Sequence, residues 1–231
     1  MDESARPAKY PAWHVFFAFA FFCLYLPGGS LVGNAREIGA YSLAESILTR
    51  GAFDIPFIEG TGDLAARAGK YYVDRGPGDG LMLIPFYVVS RLLPVSGFSE
   101  DETVLAAVRM AAAFYSVLGL WIFLQLARFI GASVSARAVG AFALGAATIR
   151  WRYSTIFYSH ITSSLMLLLA AWIIWTIACG DRHPRDKALR IFLGAVLGMA
   201  VLIEYANAIV TVLFLAFCFS ARRATGGLAH G

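Results

Sequence analysis

The chain has 231 residues, of which 59% are hydrophobic and 15% are charged, and its formal net charge is +4. A soluble domain of this length carries far more charge, so the composition excludes an ordinary soluble protein and indicates a polytopic α-helical membrane protein. The positive charge is modest and scattered through the loops, which does not favour a nucleic-acid partner. The cysteines and histidines lack metal-ligand spacing, so the sequence predicts no disulfide framework and no zinc or haem site.

The first half of the chain contains two apolar runs that predict membrane spans. Residues 12–26 predict a retained span, because no clear small-x-small cleavage pattern follows them. Residues 104–129 form a longer run, which exceeds the roughly 20 residues that cross a bilayer. Ser99 and Glu102 stand just before this run with the spacing of a capping box, which marks the start of its helix.

The second half contains three more apolar runs. Residues 161–179 predict a clear span, whereas residues 134–149 predict a weaker one because Arg137 lies within them. Residues 188–219 are too many for one ordinary span and are interrupted around Glu204. They therefore predict a tight hairpin of two short helices, with Glu204 at its tip.

Residues 81–93 form an apolar run that is too short to span. The run contains Pro85 and Arg91, and its length is typical of a re-entrant or interfacial segment. If it does not cross the membrane, the basic loops at residues 128–137 and 181–190 fall on the same side as the N-terminus. The positive-inside tendency favours that arrangement.

The resulting prediction is one all-α transmembrane domain with about six spans, in the plasma (inner) membrane and with a cytoplasmic N-terminus. Its parts are a first span at residues 12–26, a large outer loop with interfacial helices at residues 27–101, and five further spans within residues 103–221. Small residues at Gly194 and Gly198 have the spacing of a helix-packing motif, so we expect them at a helix contact.

The predicted outer loop begins with an amphipathic helix. Apolar residues recur at helical spacing after Glu37, and Arg50-Gly51 has the pattern of a helix C-terminus. A Gly-rich stretch follows and holds several acids. Within it, the dihedral preferences of Gly76-Pro-Gly78 predict a sharp turn. A loop of this size predicts a site at the membrane boundary.

A series of motifs along the chain carries a resemblance to a known family. An acid follows the first span, the loop helix ends in TRGAFDI, the stretches GKYY, GPG and PFY come next, and YSTIFYSH opens a later span. In this order and spacing the chain resembles the GT-C superfamily of membrane glycosyltransferases, which includes the protein O-mannosyltransferases and the lipid A aminoarabinose transferases. Family members usually continue for several more spans, so the chain resembles only their N-terminal half.

The resemblance implies transfer of a sugar from a polyprenyl-phosphate carrier to an acceptor hydroxyl at the outer face of the membrane. A carboxylate removes the hydroxyl proton in such chemistry, while cations or a divalent metal stabilise the departing phosphate. The family's first catalytic acid follows the first span and is matched by Glu37, with Asp54 and Asp63 as further candidates. Glu37 also fits a capping box with Asn34, and an acid in a Gly-rich loop is commonly just solvated.

The candidate substrate-binding residues of the loop are two cations and two tyrosines. Lys70 and Arg75 suit a phosphate group, or equally the lipid headgroups. Tyr71 and Tyr72 suit stacking on a sugar, or anchoring at the membrane interface.

Further binding candidates lie near the predicted outer ends of later spans. Arg150 and Arg152 are two residues apart, so on a helix at most one faces a phosphate groove; the alternative is snorkelling to the headgroups. His160 lies where relatives often carry an acid or a histidine, although local hydrogen bonding is the simpler role. Glu204 is a functional candidate because a carboxylate within an apolar block is costly.

Two other classes of function stay open. One is a non-catalytic membrane subunit or lipid-binding module that packs against a partner membrane protein, which would supply the missing spans. The early end of the chain favours it. A transporter is disfavoured because the sequence shows no convincing internal repeat. Whether the chain is itself an enzyme is undecided, the expected ligands are membrane lipid and a polyprenyl-phosphate sugar, and no ligand set for a divalent metal can be named.

Overall fold

The computed structural model describes residues 12–26, 35–58, 63–92, 99–179 and 186–227. Within these ranges the chain is mostly helical, which confirms the all-α class, and it also contains one two-stranded hairpin. The elements are α1 (Ala12–Tyr25), α2 (Ala35–Arg50), β1 (Leu64–Arg67), β2 (Lys70–Val73), α3 (Gly78–Leu92), α4 (Glu100–Phe129), α5 (Val134–Ala146), α6 (Arg150–Thr155), α7 (Ser159–Cys179), α8 (Asp186–Ile203) and α9 (Asn207–Gly227).

Two of the described helices are long and apolar enough to cross a membrane. They cover Glu102–Phe129 in α4 and Ser159–Ala178 in α7, as expected from the two clearest apolar runs. Three shorter apolar helical segments are Ala12–Tyr25, Val134–Ala146 and Asn207–Cys218. These findings support a membrane protein, while the count of six spans and their orientation stay predictions.

The helix ends predicted from local sequence signals are confirmed. The Ser99 side chain accepts a hydrogen bond from the Glu102 backbone, and the Glu102 carboxylate returns to the Ser99 N–H, which completes a capping box at the start of α4. At the end of α2, Gly51 has a φ of 61° and its N–H donates to the Ile47 carbonyl at 3.1 Å. This is the left-handed cap that glycine adopts most cheaply.

The predicted break around Glu204 is also present. α8 ends at Ile203, and α9 begins at Asn207 after a short turn. The Asn207 amide donates to the Ser163 hydroxyl and to the Ala200 carbonyl, both at 2.8 Å, so it fixes the start of α9 against α7 and α8.

The Gly76-Pro-Gly78 turn is needed for close packing rather than for unusual dihedral angles. A Cβ on Gly76 would lie 2.0 Å from the Leu202 carbonyl oxygen, and one on Gly78 would lie 2.5 Å from the Ile203 backbone nitrogen. Neither glycine has a positive φ, which corrects the reason given for the turn. The turn therefore seats the start of α3 directly on the backbone of the α8–α9 hairpin.

The helix contact expected for Gly194 and Gly198 is not found within the described chain. A Cβ added to either glycine would meet nothing within 4 Å. Both residues are exposed, while α8 uses Val196, Leu197 and Ala200 for its buried face. The spacing alone did not reveal which side of α8 packs.

The sequence reading missed the β-hairpin in the loop between α2 and α3. β1 and β2 pair antiparallel, with Leu64 opposite Val73 and Arg67 opposite Lys70. Ala68 and Gly69 form the turn with φ values of 52° and 74°. An alanine is uncommon at a positive φ, so the turn lacked the Asn-Gly or Asp-Gly signal typical of such hairpins.

Contacts between helix ends define two ends of the bundle. At one end, which we call the site end, the Tyr25 hydroxyl of α1 donates to the Gly145 carbonyl of α5 at 2.9 Å. The short helix α6 continues from there to the start of α7, where the Ser159 hydroxyl donates to the Glu204 carboxylate at 2.7 Å. The site end therefore collects the ends of α1, α5 and α8 and the starts of α7 and α9.

The other end of the bundle, which we call the basic end, collects the opposite helix termini. His14 of α1 lies 3.5 Å from the Gln125 side chain of α4, and the Trp13 ring lies under the Arg137 guanidinium of α5. α1, α5 and α8 thus run in one direction, and α4, α7 and α9 run in the other.

Candidate functional site

A pocket at the site end brings together charged residues from distant parts of the chain. Its walls come from the start of α2, the turn between β2 and α3, and the segment that joins α6 to α7. About 460 Å³ of empty space, part of it open to the surface, lies between these walls. Its enclosed part is narrow. The charged residues that line it are Arg36, Asp63, Asp74, Arg75 and Asp79.

Asp79, which the sequence analysis did not select, is the carboxylate at the base of this pocket. It lies in the first turn of α3 and accepts a hydrogen bond from the Thr162 hydroxyl of α7 at 2.8 Å. Burial raises the pKa of Asp79 to about 7, and the nearby Glu204 carboxylate acts in the same direction. The Thr162 hydrogen bond and the cations Arg75 and Arg36 oppose that rise.

The Thr162 hydroxyl can serve both protonation states of Asp79. Its oxygen lies 2.8 Å from Asp79 Oδ1 and 3.0 Å from the Ser159 carbonyl oxygen. An ionised Asp79 accepts a hydrogen bond from the Thr162 hydroxyl. A protonated Asp79 donates to the Thr162 hydroxyl oxygen, and the hydroxyl then donates to the Ser159 carbonyl. Because neither state leaves a buried group unpaired, the carboxyl is suited to gain and lose a proton.

Two arginines flank the pocket, each in a loose ion pair. Arg36 Nε lies 3.6 Å from Asp63 Oδ2, and its guanidinium lies 4.4 Å above the centre of the Tyr158 ring. Arg75 Nε lies 3.8 Å from Asp74 Oδ1. The Arg75 pair is longer than a hydrogen bond and partly exposed, so an anionic ligand can compete for this cation.

Glu204 and His160 form a second polar contact beside the pocket. Glu204 Oε1 accepts from the Ser159 hydroxyl and lies 2.7 Å from His160 Nδ1. Tyr153 lies against His160, with 5.1 Å between the ring centres. The structure therefore brings the predicted residues His160, Glu204, Asp63 and Arg75 to one end of the bundle.

Glu37 has a buried contact outside the pocket lining. Its side chain is 3% exposed, and Oε1 accepts the Phe157 backbone N–H at 2.8 Å. The carboxylate thus connects α2 to the segment that precedes α7. Asn34, the partner expected for capping, lies outside the described residues, and a catalytic role for Glu37 stays a prediction.

Asp54 and Lys70 form an ion pair away from the pocket. Lys70 Nζ lies 3.2 Å from Asp54 Oδ1, and Arg50 lies 3.2 Å from the other carboxylate oxygen. The hydrogen bond from Lys70 is the main reason that the pKa of Asp54 is lowered. Arg50 also donates to the Asp54 backbone carbonyl. These contacts fix the end of α2 against the β-hairpin.

Tyr71 and Tyr72 belong to β2 and do not line the pocket. The Tyr71 ring packs against Phe57 with 5.0 Å between the ring centres, and Tyr72 pairs with Ala65 across the hairpin. Their use for sugar stacking or for membrane anchoring stays a prediction.

Arg150 is buried, which contradicts both roles that the sequence suggested for it. The residue is 6% exposed, and its guanidinium donates to the Ser164 hydroxyl at 2.9 Å and to the Ser116 carbonyl at 3.0 Å. A Cβ on Gly119 would lie 2.2 Å from Nη2, so glycine makes room for the guanidinium. Arg150 therefore joins α4, α6 and α7, and it neither lines the pocket nor reaches outward. Arg152 is exposed, so the two arginines do point to different sides.

The described residues contain no group of three or more His, Cys, Asp or Glu side chains placed to hold a metal ion. The acid-rich loop suggested a divalent metal, but the geometry of these residues provides no ligand set for one.

Comparison with known proteins finds no matching family model, no similar curated protein and no similar solved structure. The functional argument therefore rests on the contacts and charges at the site end. Among these, Asp79 had one signal in the sequence. It is an acid placed directly after Gly76-Pro-Gly78 and immediately before an apolar run.

Proposed function

We propose that the protein is an integral membrane protein with six crossings, whose cytoplasmic side is the basic end. Large apolar side chains lie more than half exposed on the outward faces of α1, α5 and α9, where water would disfavour them and lipid would not. They are Val15, Phe16, Phe19, Val134, Val139, Phe142, Ile209, Val212, Leu213 and Phe217. The alternating direction of α1, α4, α5, α7, α8 and α9 fits six crossings. Exposed Lys187 and Arg190 on the first turns of α8 fit a cytoplasmic basic end.

For its activity we propose glycosyl transfer from a polyprenyl-phosphate sugar to an acceptor hydroxyl at the site end, as the resemblance to the GT-C superfamily implies. The observation that carries this proposal is Asp79. It is a carboxyl with a pKa of about 7 in a pocket flanked by Arg36 and Arg75. A general base works best when its pKa lies near the working pH, and an acceptor hydroxyl needs such a base.

The roles in the proposed reaction follow from these charges. Ionised Asp79 takes the proton of the acceptor hydroxyl while its oxygen forms a bond to the anomeric carbon. The bond from that carbon to the phosphate oxygen breaks, and the electron pair leaves with polyprenyl phosphate. Arg36 and Arg75 stabilise the negative charge on the departing phosphate. In this proposal Asp79 takes the role that the resemblance gave to Glu37.

Glu37 and Glu204 are positioning residues in this scheme. Glu37 holds the Phe157 backbone, and Glu204 holds Ser159 and His160, so the two carboxylates fix both sides of the α6–α7 segment. This segment carries the pocket wall. A small displacement of that wall changes substrate geometry enough to slow a reaction.

The test uses purified protein in lipid nanodiscs with a radiolabelled polyprenyl-phosphate sugar. Donor binding and label transfer to an added membrane acceptor are measured in the same samples. We expect Asp79→Asn to keep donor binding and to lose at least about a hundredfold in transfer, since general-base catalysis contributes on that scale. Arg75→Gln should weaken donor binding instead.

Glu45→Gln supplies the matched control. Glu45 lies on α2 like Glu37 and binds Arg91 at 3.0 Å, away from the pocket. This variant should bind and transfer like the wild type. Transfer by Asp79→Asn at the wild-type rate would refute the role of Asp79, and a wild type that binds no donor would refute the donor site itself.

A second candidate function is a non-catalytic lipid-binding module. Its support is that several predicted site residues, namely Glu37, Asp54 and Arg150, are already engaged by protein groups, and that the enclosed part of the pocket is narrow. In the same experiment, donor binding without transfer in the wild type would favour this module over the transferase.

A further inference from the structure

The basic end contains a buried polar cluster that the proposed activity does not use. His14 is fully buried in the first turn of α1, between the rings of Trp13 and Trp121. Its Nδ1 lies 3.5 Å from Gln125 Nε2, at the outer limit of a hydrogen bond, and its Nε2 has no partner among the described residues. Most buried polar groups are paired, so this nitrogen requires an explanation.

Arg137 adds a buried charge to the same cluster. It lies in the first turn of α5, just after the N-cap Ser133, and is 8% exposed. Its Nε and Nη1 are buried and have no hydrogen-bond partner within the described part of the chain. Its described contact is with the Trp13 ring, whose centre lies 5.8 Å from the guanidinium carbon. One aromatic face satisfies few of the five N–H donors of an arginine.

Within the described ranges, the charge that faces both His14 and Trp13 is the guanidinium of Arg137. No described carboxylate forms an ion pair with Arg137. A buried cation at a membrane boundary is costly unless an anion pairs with it. A ligand that satisfies this cluster would therefore be an anion whose oxygens accept several N–H hydrogen bonds.

We propose that the phosphate group of an anionic phospholipid binds at the basic end, between α1 and α5, and is held by Arg137 and His14. Arg137 lies near the N-terminus of α5, where the positive end of the helix dipole favours the same negative charge. Exposed Val134, Val139 and Phe16 continue from the cluster along the outer faces of α5 and α1 and suit acyl chains. This apolar surface favours a lipid over free phosphate, and the tryptophans suit a place at headgroup depth. The site lies at the opposite end from the proposed transferase pocket.

The test counts lipids retained by the purified protein in neutral detergent, using native mass spectrometry. Phosphatidylglycerol is titrated against phosphatidylcholine, and separate samples receive millimolar inorganic phosphate without lipid. The wild type should retain phosphatidylglycerol about five- to tenfold better than phosphatidylcholine. Arg137→Gln should abolish this preference. The control Arg190→Gln, which removes an exposed charge at the same end, should keep it.

Two outcomes would contradict the proposal. Equal retention by wild type and Arg137→Gln would remove Arg137 from lipid binding. Thermal protection of the wild type by inorganic phosphate alone, absent in Arg137→Gln, would make free phosphate the ligand. Should Arg137→Gln not purify, Arg137→Lys keeps the charge but not the planar fork and should give intermediate retention.

Discussion

The two ends of the bundle each bury an arginine but supply it with different hydrogen-bond partners. Arg150, near the site end, is 6% exposed and donates to protein oxygens on α4 and α7, which leaves its buried Nε without a partner among the described residues. Arg137, at the basic end, is 8% exposed and has two buried nitrogens without a partner in the described chain. Burial is therefore a poor guide to function. The informative property is whether the protein itself supplies the hydrogen-bond partners.

The same contrast extends to the acids. At the site end Glu37, Glu204 and Asp79 each accept a hydrogen bond from another element, so the polar groups there join separate parts of the fold. At the basic end no described acid pairs with Arg137. The described acids at the site end therefore join elements of the fold, whereas at the basic end no described acid offsets the charge of Arg137.

The largest loss of stability is expected at Gly76, where the packing of the site end is tightest. Gly76→Ala would place a Cβ within 2.0 Å of a backbone oxygen that cannot move without displacing the hairpin. We expect a loss of about 3 kcal/mol or more in the free energy of unfolding, at the upper end for overpacking. Gly198→Ala, with nothing within 4 Å, should instead be neutral or stabilising. Thermal unfolding in detergent distinguishes them, and equal melting temperatures would refute the packing role of the turn.

The next largest change in stability is expected for Arg150→Gln, with Arg137→Gln as its comparison. Arg150→Gln removes hydrogen bonds from a charged donor, and we expect it to lower the free energy of unfolding by about 2 to 3 kcal/mol. Arg137→Gln, measured in lipid-free detergent, should have little effect or stabilise, because it removes a buried charge without a partner. Unfolding by denaturant at matched detergent concentration measures both. A larger loss of unfolding free energy in Arg137→Gln than in Arg150→Gln would contradict this prediction.

A pH-dependent effect is expected for Asp79. Because burial raises the pKa of Asp79 to about 7, its protonated form stabilises the fold below the unfolded pKa. That stabilisation is lost as the pH rises through 7. Asp79→Asn cannot ionise, so its stability relative to the wild type should rise by roughly 2 kcal/mol between pH 5 and pH 8. Melting temperatures at the two pH values test this, with Glu45→Gln as control, and a difference that does not change with pH would exclude a raised pKa.

The smallest effect is expected in the exposed loop. Lys70→Ala breaks an ion pair with Asp54 that water screens, and Arg50 remains on the same carboxylate. The melting temperature should fall by at most about 3 °C, and high salt should remove even this difference. A larger, salt-independent fall would show that the β-hairpin contributes more to the fold than its position indicates.

Local signals predicted the elements, and long-range contacts decided the site. Three features depend on only a few neighbouring residues and were therefore predicted from the sequence. They are the capping box at Ser99, the glycine cap at Gly51 and the break at Glu204. The turn at Ala68 lacked a typical residue, and the hairpin was missed.

Asp79 could not be distinguished from other loop acids because its partner Thr162 lies 83 positions away along the chain. The nearby Glu204 lies between α8 and α9, so no local pattern near Asp79 reveals it either. Arg150 was misread for the same reason, since the oxygens that satisfy it belong to α4 and α7. Which face of a helix packs inward is decided by its neighbours, as exposed Gly194 on α8 also shows.

The Gly76-Pro-Gly78 turn packs on the backbone of Leu202 and Ile203, and this packing has a consequence for biosynthesis. A ribosome makes the chain from its N-terminus, so Arg75 and Asp79 leave the ribosome long before the surface on which they come to rest. Until the α8–α9 hairpin has been made, the turn has no backbone to lie against and Glu204 is absent. The pocket therefore cannot be completed before α8 and α9 are in place, although Arg75 and Asp79 are synthesised well before them.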